Sequence, residues 1–447
     1  MKEIVLLLNP PSPPGLRYVI RDFYCSFSSK ADYYWPPQDL LALSGMLRES
    51  YDLEVIDAVA LGLSPEACRE RIQNSRASVM IFTTGNASLS ADMAFMQSIK
   101  KRQGVRWIAS GSLFRSSAEQ TMRQYPFLDD VIPDFTDPGI LDRLRGKEPR
   151  KIVAGDFSLG RPLYEHFISR GNAFPFFGGA PFSIMVSSFG CQFTCGFCVA
   201  GTYGIKYRRM EEVLADLRHL KGLGVTKVFF VDPLFTADPR RVAEFCDGIR
   251  DLKMEWVCNA HVATIQDETL LHSMKMAGCK ALLIGVESGE KDLLRSWGKF
   301  LDIERIKKAF ALCRKHRITT LAYFIIGLPG EDPASARKTM RFSKELQCDY
   351  ASFGYATPDE GTRLRKESLE KGWLGSSEIP KDFDPSQAPA LGTEKLTREE
   401  ATGLLQEAYR SFYLRPGYIA RSLLRVRSLK GLRSLFNAGR AVLRKTV

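Results

Sequence analysis

Short apolar, β-branched runs alternate with amphipathic stretches along most of the chain, in two separate series. In the first, strand-like segments at Ile4–Leu8, Leu53–Ile56, Ser78–Thr83, Arg106–Ala109 and Asp130–Ile132 are separated by helix-like stretches at Pro37–Glu49, Pro65–Asn74, Ala91–Arg102 and Ser117–Gln124. This alternation predicts an α/β fold that begins, over residues 1–145, with an open, parallel, doubly wound, Rossmann-like sheet. Ligands of such sheets lie beyond the carboxyl ends of the strands. The loops there read Asn9-Pro10-Pro11, Thr83-Thr84-Gly85-Asn86 and Ser110-Gly111-Ser112.

Residues 146–180 are rich in Gly, Pro and Phe and lack periodicity, so a linker is expected. A second series follows, with apolar runs at Phe182–Val186, Lys227–Asp232, Met254–Asn259, Ala281–Val286, Thr319–Ile326 and Tyr350–Ala356. Helical patterns at Glu211–Leu223, Pro239–Asp251, Asp267–Ala277, Asp302–Lys315 and Pro333–Leu346 separate them. Six βα units in a row predict a partial (β/α)6 barrel over 181–380, with its site at the strands' carboxyl ends. A helical segment, 381–447, closes the chain.

Composition changes this picture little. With 45% hydrophobic and 26% charged residues among 447, the chain has the material for two or three globular domains. No apolar run reaches membrane-spanning length, and Met1-Lys2-Glu3 leads straight into a strand-like run rather than a signal peptide. The expected location is cytoplasmic. Charge is another matter: from Ala408 onward there are ten Arg and Lys and no acid, against a net charge of +12 for the whole chain. The basic character therefore belongs to the tail.

The densest chemistry lies just after the first barrel strand, in Ser187-Ser188-Phe189-Gly190-Cys191-Gln192-Phe193-Thr194-Cys195-Gly196-Phe197-Cys198. Three thiolates in eight residues suit an iron–sulfur cluster and leave one iron open. A structural zinc site would want four ligands, and no fourth Cys or His is near. The other cysteines (Cys25, Cys68, Cys246, Cys258, Cys279, Cys313, Cys348) read as buried apolar residues. The CxxxCxxC spacing, with Phe197 before the last Cys, resembles the radical S-adenosylmethionine (SAM) superfamily. The resemblance implies a [4Fe–4S] cluster on Cys191, Cys195 and Cys198, with SAM on the open iron. It extends to Phe229-Phe230-Val231-Asp232, Gly285-Val286-Glu287-Ser288-Gly289 and Ile326-Gly327-Leu328-Pro329-Gly330-Glu331 at later strand ends. By that resemblance Phe197, Asp232, Glu287, Ser288, Gly327 and Arg208 are expected around SAM. For Arg208 and Arg209 a solvated pair is the alternative reading. His261, at the third strand's end, is a candidate proton-handling group, with a structural histidine as the alternative.

A doubly wound domain before such a barrel, with Leu8-Asn9-Pro10-Pro11, Trp35-Pro36-Pro37-Gln38-Asp39-Leu40 and Leu53-Glu54-Val55-Ile56-Asp57-Ala58, resembles the cobalamin-binding radical SAM group. That group includes the anaerobic magnesium-protoporphyrin ester cyclase and hopanoid methylases. The resemblance implies cobalamin beside Asn9, Thr83, Thr84, Gly85, Ser110 and Gly111. The five histidines, His166, His219, His261, His272 and His316, all lie beyond residue 150, so this domain offers no histidine to cobalt, in keeping with that group. Two loops depart from the family: Ser110-Gly111 stands where Gly-Gly is usual, and Asp134-Phe135-Thr136-Asp137 where Gly-Glu is usual.

The implied activity is radical methyl transfer to an unactivated carbon, with cyclisation or rearrangement without methylation as the alternative. A small-molecule or lipid substrate is implied, with an electron donor such as flavodoxin or ferredoxin. In the tail, Ile419, Leu423, Val426, Leu429, Leu432 and Leu435-Phe436 recur at helical steps among arginines. Peripheral contact with an anionic membrane and packing on the barrel are both open. A zinc-loop protein binding nucleic acid through the tail is the competing class; no nucleic-acid module accompanies the charge, and no nucleic-acid partner is expected.

Overall fold

In a computed structural model of the chain, the first series folds as five strands: β1 (Ile4–Asn9), β2 (Asp52–Asp57), β3 (Val79–Thr83), β4 (Arg106–Ser110) and β5 (Asp130–Ile132). The described residues are 2–21, 33–147, 157–170, 174, 176–178, 180–374, 384 and 387–425. All five strands are parallel, in the order β2-β1-β3-β4-β5. The order reverses between β1 and β3, the switch point where such sheets bind ligands. Both faces are covered, so the central strands β1 and β3 are apolar almost throughout, whereas the edge strand β2 carries Asp52, Glu54 and Asp57. Leu6, Leu8, Met80, Phe82 and Trp107 form one core with the outer helices, while Val5, Leu7, Ile81 and Ile108 join a larger core that continues into the barrel.

The stretch expected to be a featureless linker holds a 3-10 turn at Tyr164–His166 and a short strand, β6 (Ile168–Ser169). It packs tightly on the first domain: a Cβ on Gly45 would stand 2.0 Å from Leu159 O. Elements of two or three residues are too short to show a period. Beyond it come β7 (Phe182–Met185), the pair β8 (Ser188–Phe189) and β9 (Lys206–Tyr207), then β10 (Lys227–Phe230), β11 (Glu255–His261), β12 (Cys279–Glu287), β13 (Thr319–Ile326) and β14 (Tyr350–Tyr355). The larger sheet runs β14-β13-β12-β11-β10-β7-β6, parallel except for β6 against β7. This is the expected partial barrel with one antiparallel strand added. Asp-Pro pairs start two of its helices, Pro239–Ile249 and Pro333–Glu345, the Asp side chain accepting a first-turn N–H and the Pro needing no donor.

Two features hold the barrel's flanks. Phe230 faces the helix Pro239–Ile249 through Phe245 at 5.1 Å, whereas Phe229 meets Trp35, carried in from the first domain, edge-on at 5.2 Å. On the other flank, the helix Arg398–Tyr413 covers β14. Tyr409 Oη accepts from Phe353 N and donates to Phe353 O, and Tyr413 Oη does the same at Ala351. Tyr418 Oη adds a bond to Asp349 O at 3.0 Å. Edge-strand groups that would otherwise face solvent are thus paired with tyrosine hydroxyls. The helix Pro416–Arg425 follows. Cys25 and the tail residues 426–447 lie outside the described residues.

Candidate active site

The cysteine loop is the span between β8 and β9. Ser188 pairs with Tyr207 and Phe189 with Lys206, so a short antiparallel pair closes its neck. Gly190 has φ +81°, and a Cβ there would fall 1.6 Å from Gly204 O, so only glycine allows the two sides to meet. Cys191, Cys195 and Cys198 are partly exposed on this loop. Neighbouring segments clamp it: Gly196 N donates to Trp297 O at 2.7 Å, and Leu364 N donates to Gly196 O at 2.8 Å. Burial raises all three thiol pKa values, Cys198 to about 12, while the Lys299 ammonium opposes the rise at Cys191 and Cys195.

Asp232, expected beside SAM, is fully buried and points back to the root of this loop. It accepts from Ser187 N at 2.7 Å and from the Ser187 and Ser188 hydroxyls at 2.5 and 2.8 Å. Burial raises its pKa to about 6 against the pull of those bonds. Its carboxylate anchors the loop rather than a ligand. Arg208 is likewise turned inward and fully buried, not solvated. It donates to Val186 O at 3.0 Å and pairs with Asp216 at 2.9 Å, while Arg209 lies at the surface on Glu212. Ser288 also faces away, its hydroxyl sharing a 3.1 Å bond with Thr339 and accepting from Glu290 N. Strand-end polar residues either turn toward the mouth or cap the next element, and one sequence does not say which.

The residues that do gather at the mouth are Glu287, Gly327, Phe197, His261 and one that the sequence reading missed, Lys299. In register across β11, β12, β13 and β14 stand His261, Gly285, Tyr323 and Ser352. A bulge then lifts Glu287 out of register with φ +68°. Lys299 is buried and donates to Glu287 Oε1 at 2.8 Å. Burial would lower the lysine's pKa, but Glu287 and the Cys195 and Cys198 thiols raise it on balance. No spacing or motif marks Lys299 in the sequence. Gly327 has φ +87° with open space where a side chain would be, a Cβ meeting only Ala401 Cβ at 4.0 Å. Phe197 packs against the buried cluster that includes Trp297 and Leu328. His261 stacks on Phe193 of the cysteine loop at 4.0 Å, and its Nδ1 accepts from Ala263 N. Burial, then Lys299 and Arg305, lower its pKa to about 3. It is therefore a neutral hydrogen-bond donor through Nε2, unsuited to taking up a proton.

Among the described residues, no three or more His, Cys, Asp and Glu side chains are grouped to hold a single metal ion. A cubane cluster binds each thiolate to a different iron, so its ligands need not share one centre. The half-exposed thiols of a single loop, with a cation beside them, fit such a group by donor chemistry.

At the carboxyl end of the first sheet the six expected residues do come together, but the side chains of Asn9, Thr84 and Ser110 are committed to the protein. Asn9 bonds Asp57 and Arg21, Thr84 bonds Asp92, and Ser110 bonds Asp39. Thr83 and Gly85 are buried, and Gly111 packs so closely that a Cβ would stand 2.6 Å from Thr84 O. Arg21, itself buried, pairs with Asp92 at 2.6 Å over the switch point. These residues shape a wall; they fit a large cofactor by place, not as free polar donors. The divergent loop after β5 explains itself here, since it docks on the neck of the cysteine loop. Lys206 Nζ reaches Asp134 at 2.8 Å and Thr136 Oγ1 at 2.9 Å, and Phe135 meets Phe189 edge-on at 4.8 Å. Arg115 lies over the Tyr203 ring at 4.0 Å and donates to Thr202 O. The ligand end of the first sheet thus faces the cysteine end of the barrel.

The sequence profile of the Radical SAM superfamily matches residues 185–343, which include the whole cysteine loop. The chain carries a radical SAM domain. An uncharacterized methyltransferase of Pyrococcus horikoshii is 27% identical over 94% of both chains. The bacteriochlorophyllide d C-12(1)-methyltransferase of Chlorobaculum tepidum is 28% identical over 49% of this chain and half of its own length. Among solved structures, the radical SAM methyltransferase TsrM of Kitasatospora setae, with cobalamin and a [4Fe–4S] cluster bound, superposes with a TM-score of 0.70 at 14% identity, covering all of both chains. That likeness shows that the radical SAM domain and the sheet before it share TsrM's overall fold.

Proposed function

We propose that the protein is a cobalamin-dependent radical SAM methyltransferase acting on an unactivated carbon of a small-molecule or lipid substrate. The observation that carries this reading is the docking of the first sheet's ligand end on the cysteine loop, in a chain similar end to end to a methyltransferase. When bound, the cluster would supply the electron for reductive cleavage of SAM and cobalamin would supply a methyl carrier.

The chain's own work is holding and orienting. Cys191, Cys195 and Cys198 would hold the cluster. Asp232, through Ser187 and Ser188, fixes the loop that presents them. Glu287 offers a carboxylate at the mouth and Gly327 a backbone hollow, two of the groups expected around SAM. His261 contributes a fixed N–H donor, not a base. No residue is assigned as a cobalamin ligand; Asn9, Thr84 and Ser110 are already paired within the protein. An external donor such as flavodoxin or ferredoxin would deliver the electron.

The helix Pro416–Arg425 exposes Ile419, Leu423 and Leu424 beside Arg421, a pattern suited to an anionic membrane surface. Among the described residues no helix is long and apolar enough to cross a membrane. Co-sedimentation with anionic but not neutral vesicles, lost in Leu423→Glu, tests this part.

The decisive experiment is anaerobic reconstitution with iron, sulfide and hydroxocobalamin, followed by absorption spectra and reduction in the presence of SAM. The expected result is bound iron and corrinoid, 5′-deoxyadenosine on reduction, and loss of iron in Cys195→Ala. A product heavier by one methylene marks methyl transfer; an unmethylated product marks cyclisation or rearrangement. Oxygen-free protein that holds no iron, or never cleaves SAM, sinks the reading.

A further inference from the structure

Residues 297–299 are pressed against the cysteine loop. Trp297 O takes the Gly196 N–H, and Gly298, at φ +75°, lies so near that a Cβ would stand 3.3 Å from Thr194 O. This contact feeds Lys299 into the barrel, where it is 4% exposed. Its ammonium and the Glu287 carboxylate lie over Gly285. A Cβ at that glycine would meet Glu287 Oε1 at 2.4 Å and Lys299 Nζ at 2.9 Å, so the missing side chain makes room for the pair. Glu287 keeps a left-handed backbone that a non-glycine residue adopts only when its surroundings impose it. The pair is thus built in, and it lies within electrostatic reach of Cys191, Cys195 and Cys198.

Fixed charges in a site with little water act strongly on neighbouring charge. A thiolate-bound cluster becomes one unit more negative when it accepts an electron, and net charge nearby is one of the levers on its potential. We propose that Lys299 and Glu287 form a fixed electrostatic control on the cluster, the cation favouring the reduced form and the carboxylate limiting that effect. This rests on the reading of the cysteine loop as an iron–sulfur site and adds a role for two residues within it. The pair acts through charge and is not a ligand.

The test is the one-electron reduction potential of the full-length chain, reconstituted anaerobically with iron and sulfide, without SAM, and titrated with dithionite under EPR. Lys299→Met removes the cation and leaves the carboxylate, and should shift the reduction equilibrium about tenfold toward the oxidised cluster, or about 59 mV more negative. Glu287→Gln should shift it by a similar factor the other way. The double variant restores the net charge and should lie near wild type. A residue that only props the fold would not give shifts of opposite sign that cancel. Single variants that move together, or do not move, overturn the proposal. Should Lys299→Met take up no iron, Glu287→Gln decides alone: a positive shift supports the control, no shift or a negative one refutes it. A wild-type chain with no reducible cluster would instead bring down the iron–sulfur reading itself.

Discussion

The neck of the cysteine loop gives a sharp pair of substitutions. Gly190 and Gly204 both have positive φ, +81° and +62°, so alanine at either position carries a backbone penalty of about 1–3 kcal/mol, Gly204 with its ψ of 168° lying in a region almost reserved for glycine. The surroundings differ. At Gly204 nothing lies within 4 Å of a new Cβ, whereas at Gly190 the Cβ would sit 1.6 Å from Gly204 O and 2.7 Å from its carbonyl carbon. Those are backbone atoms and cannot rotate away. Gly190→Ala must push the two sides apart, adding roughly 1–3 kcal/mol of overpacking strain and opening a two-residue pair that has no length to spare. The expected total is about 2–6 kcal/mol, concentrated where the three cysteines are presented. Both variants should be purified anaerobically, reconstituted with iron and sulfide, and compared by iron per chain and by thermal melting. Gly204→Ala, with backbone strain but no clash, should lose clearly less iron. Gly190→Ala should lose several-fold in iron content while its main melting transition moves little, because neither large sheet depends on the neck. Equal loading of the two variants would show that the neck does not hold the loop.

Further outcomes follow from buried groups. Asp232 has its folded pKa raised from 3.8 to about 6, so its contribution to stability is full below 3.8 and lost as pH rises through about 6. The wild-type advantage over Asp232→Asn in unfolding free energy, from denaturant titration, should therefore shrink by about 2 kcal/mol between pH 4 and pH 7; a difference that is flat with pH refutes the assignment. Arg21→Met leaves Asp92 buried without its ion-pair partner and should cost about 3–5 kcal/mol, read as a lowered melting transition, with no change expected in iron loading. Tyr413→Phe strips the partner from Ala351 N–H and C=O and should cost roughly 1–3 kcal/mol, checked by faster amide exchange at Ala351.

Long elements were legible in the sequence because many residues repeat one period: Pro65–Asn74 and Thr319–Ile326 are read to the residue. The pairs β8–β9 and β6–β7 were not, since two residues define no period. The cluster cysteines were legible because their spacing is local. Lys299 was not, because its meaning arises only when residues 297–299 fold onto residues 194–196. Asp232 and Arg208 were found as notable residues but given the wrong neighbours, for a strand-end charge looks alike whether it faces a ligand or ties down a loop. The substitution of Asp134-Phe135-Thr136 for the usual loop weakened the resemblance on paper, yet in space those residues make the contact that joins the two halves.

The three tyrosines along β14 have a consequence for assembly. Their hydroxyls take the backbone groups that a foreign extended segment would need for docking, on alternate residues, at Phe353, Ala351 and Asp349. The barrel can neither grow by recruiting a strand from a second copy along that side nor template a fibril there. Association between copies along that side would have to use side-chain surfaces, leaving the β14 border as a sealed seam.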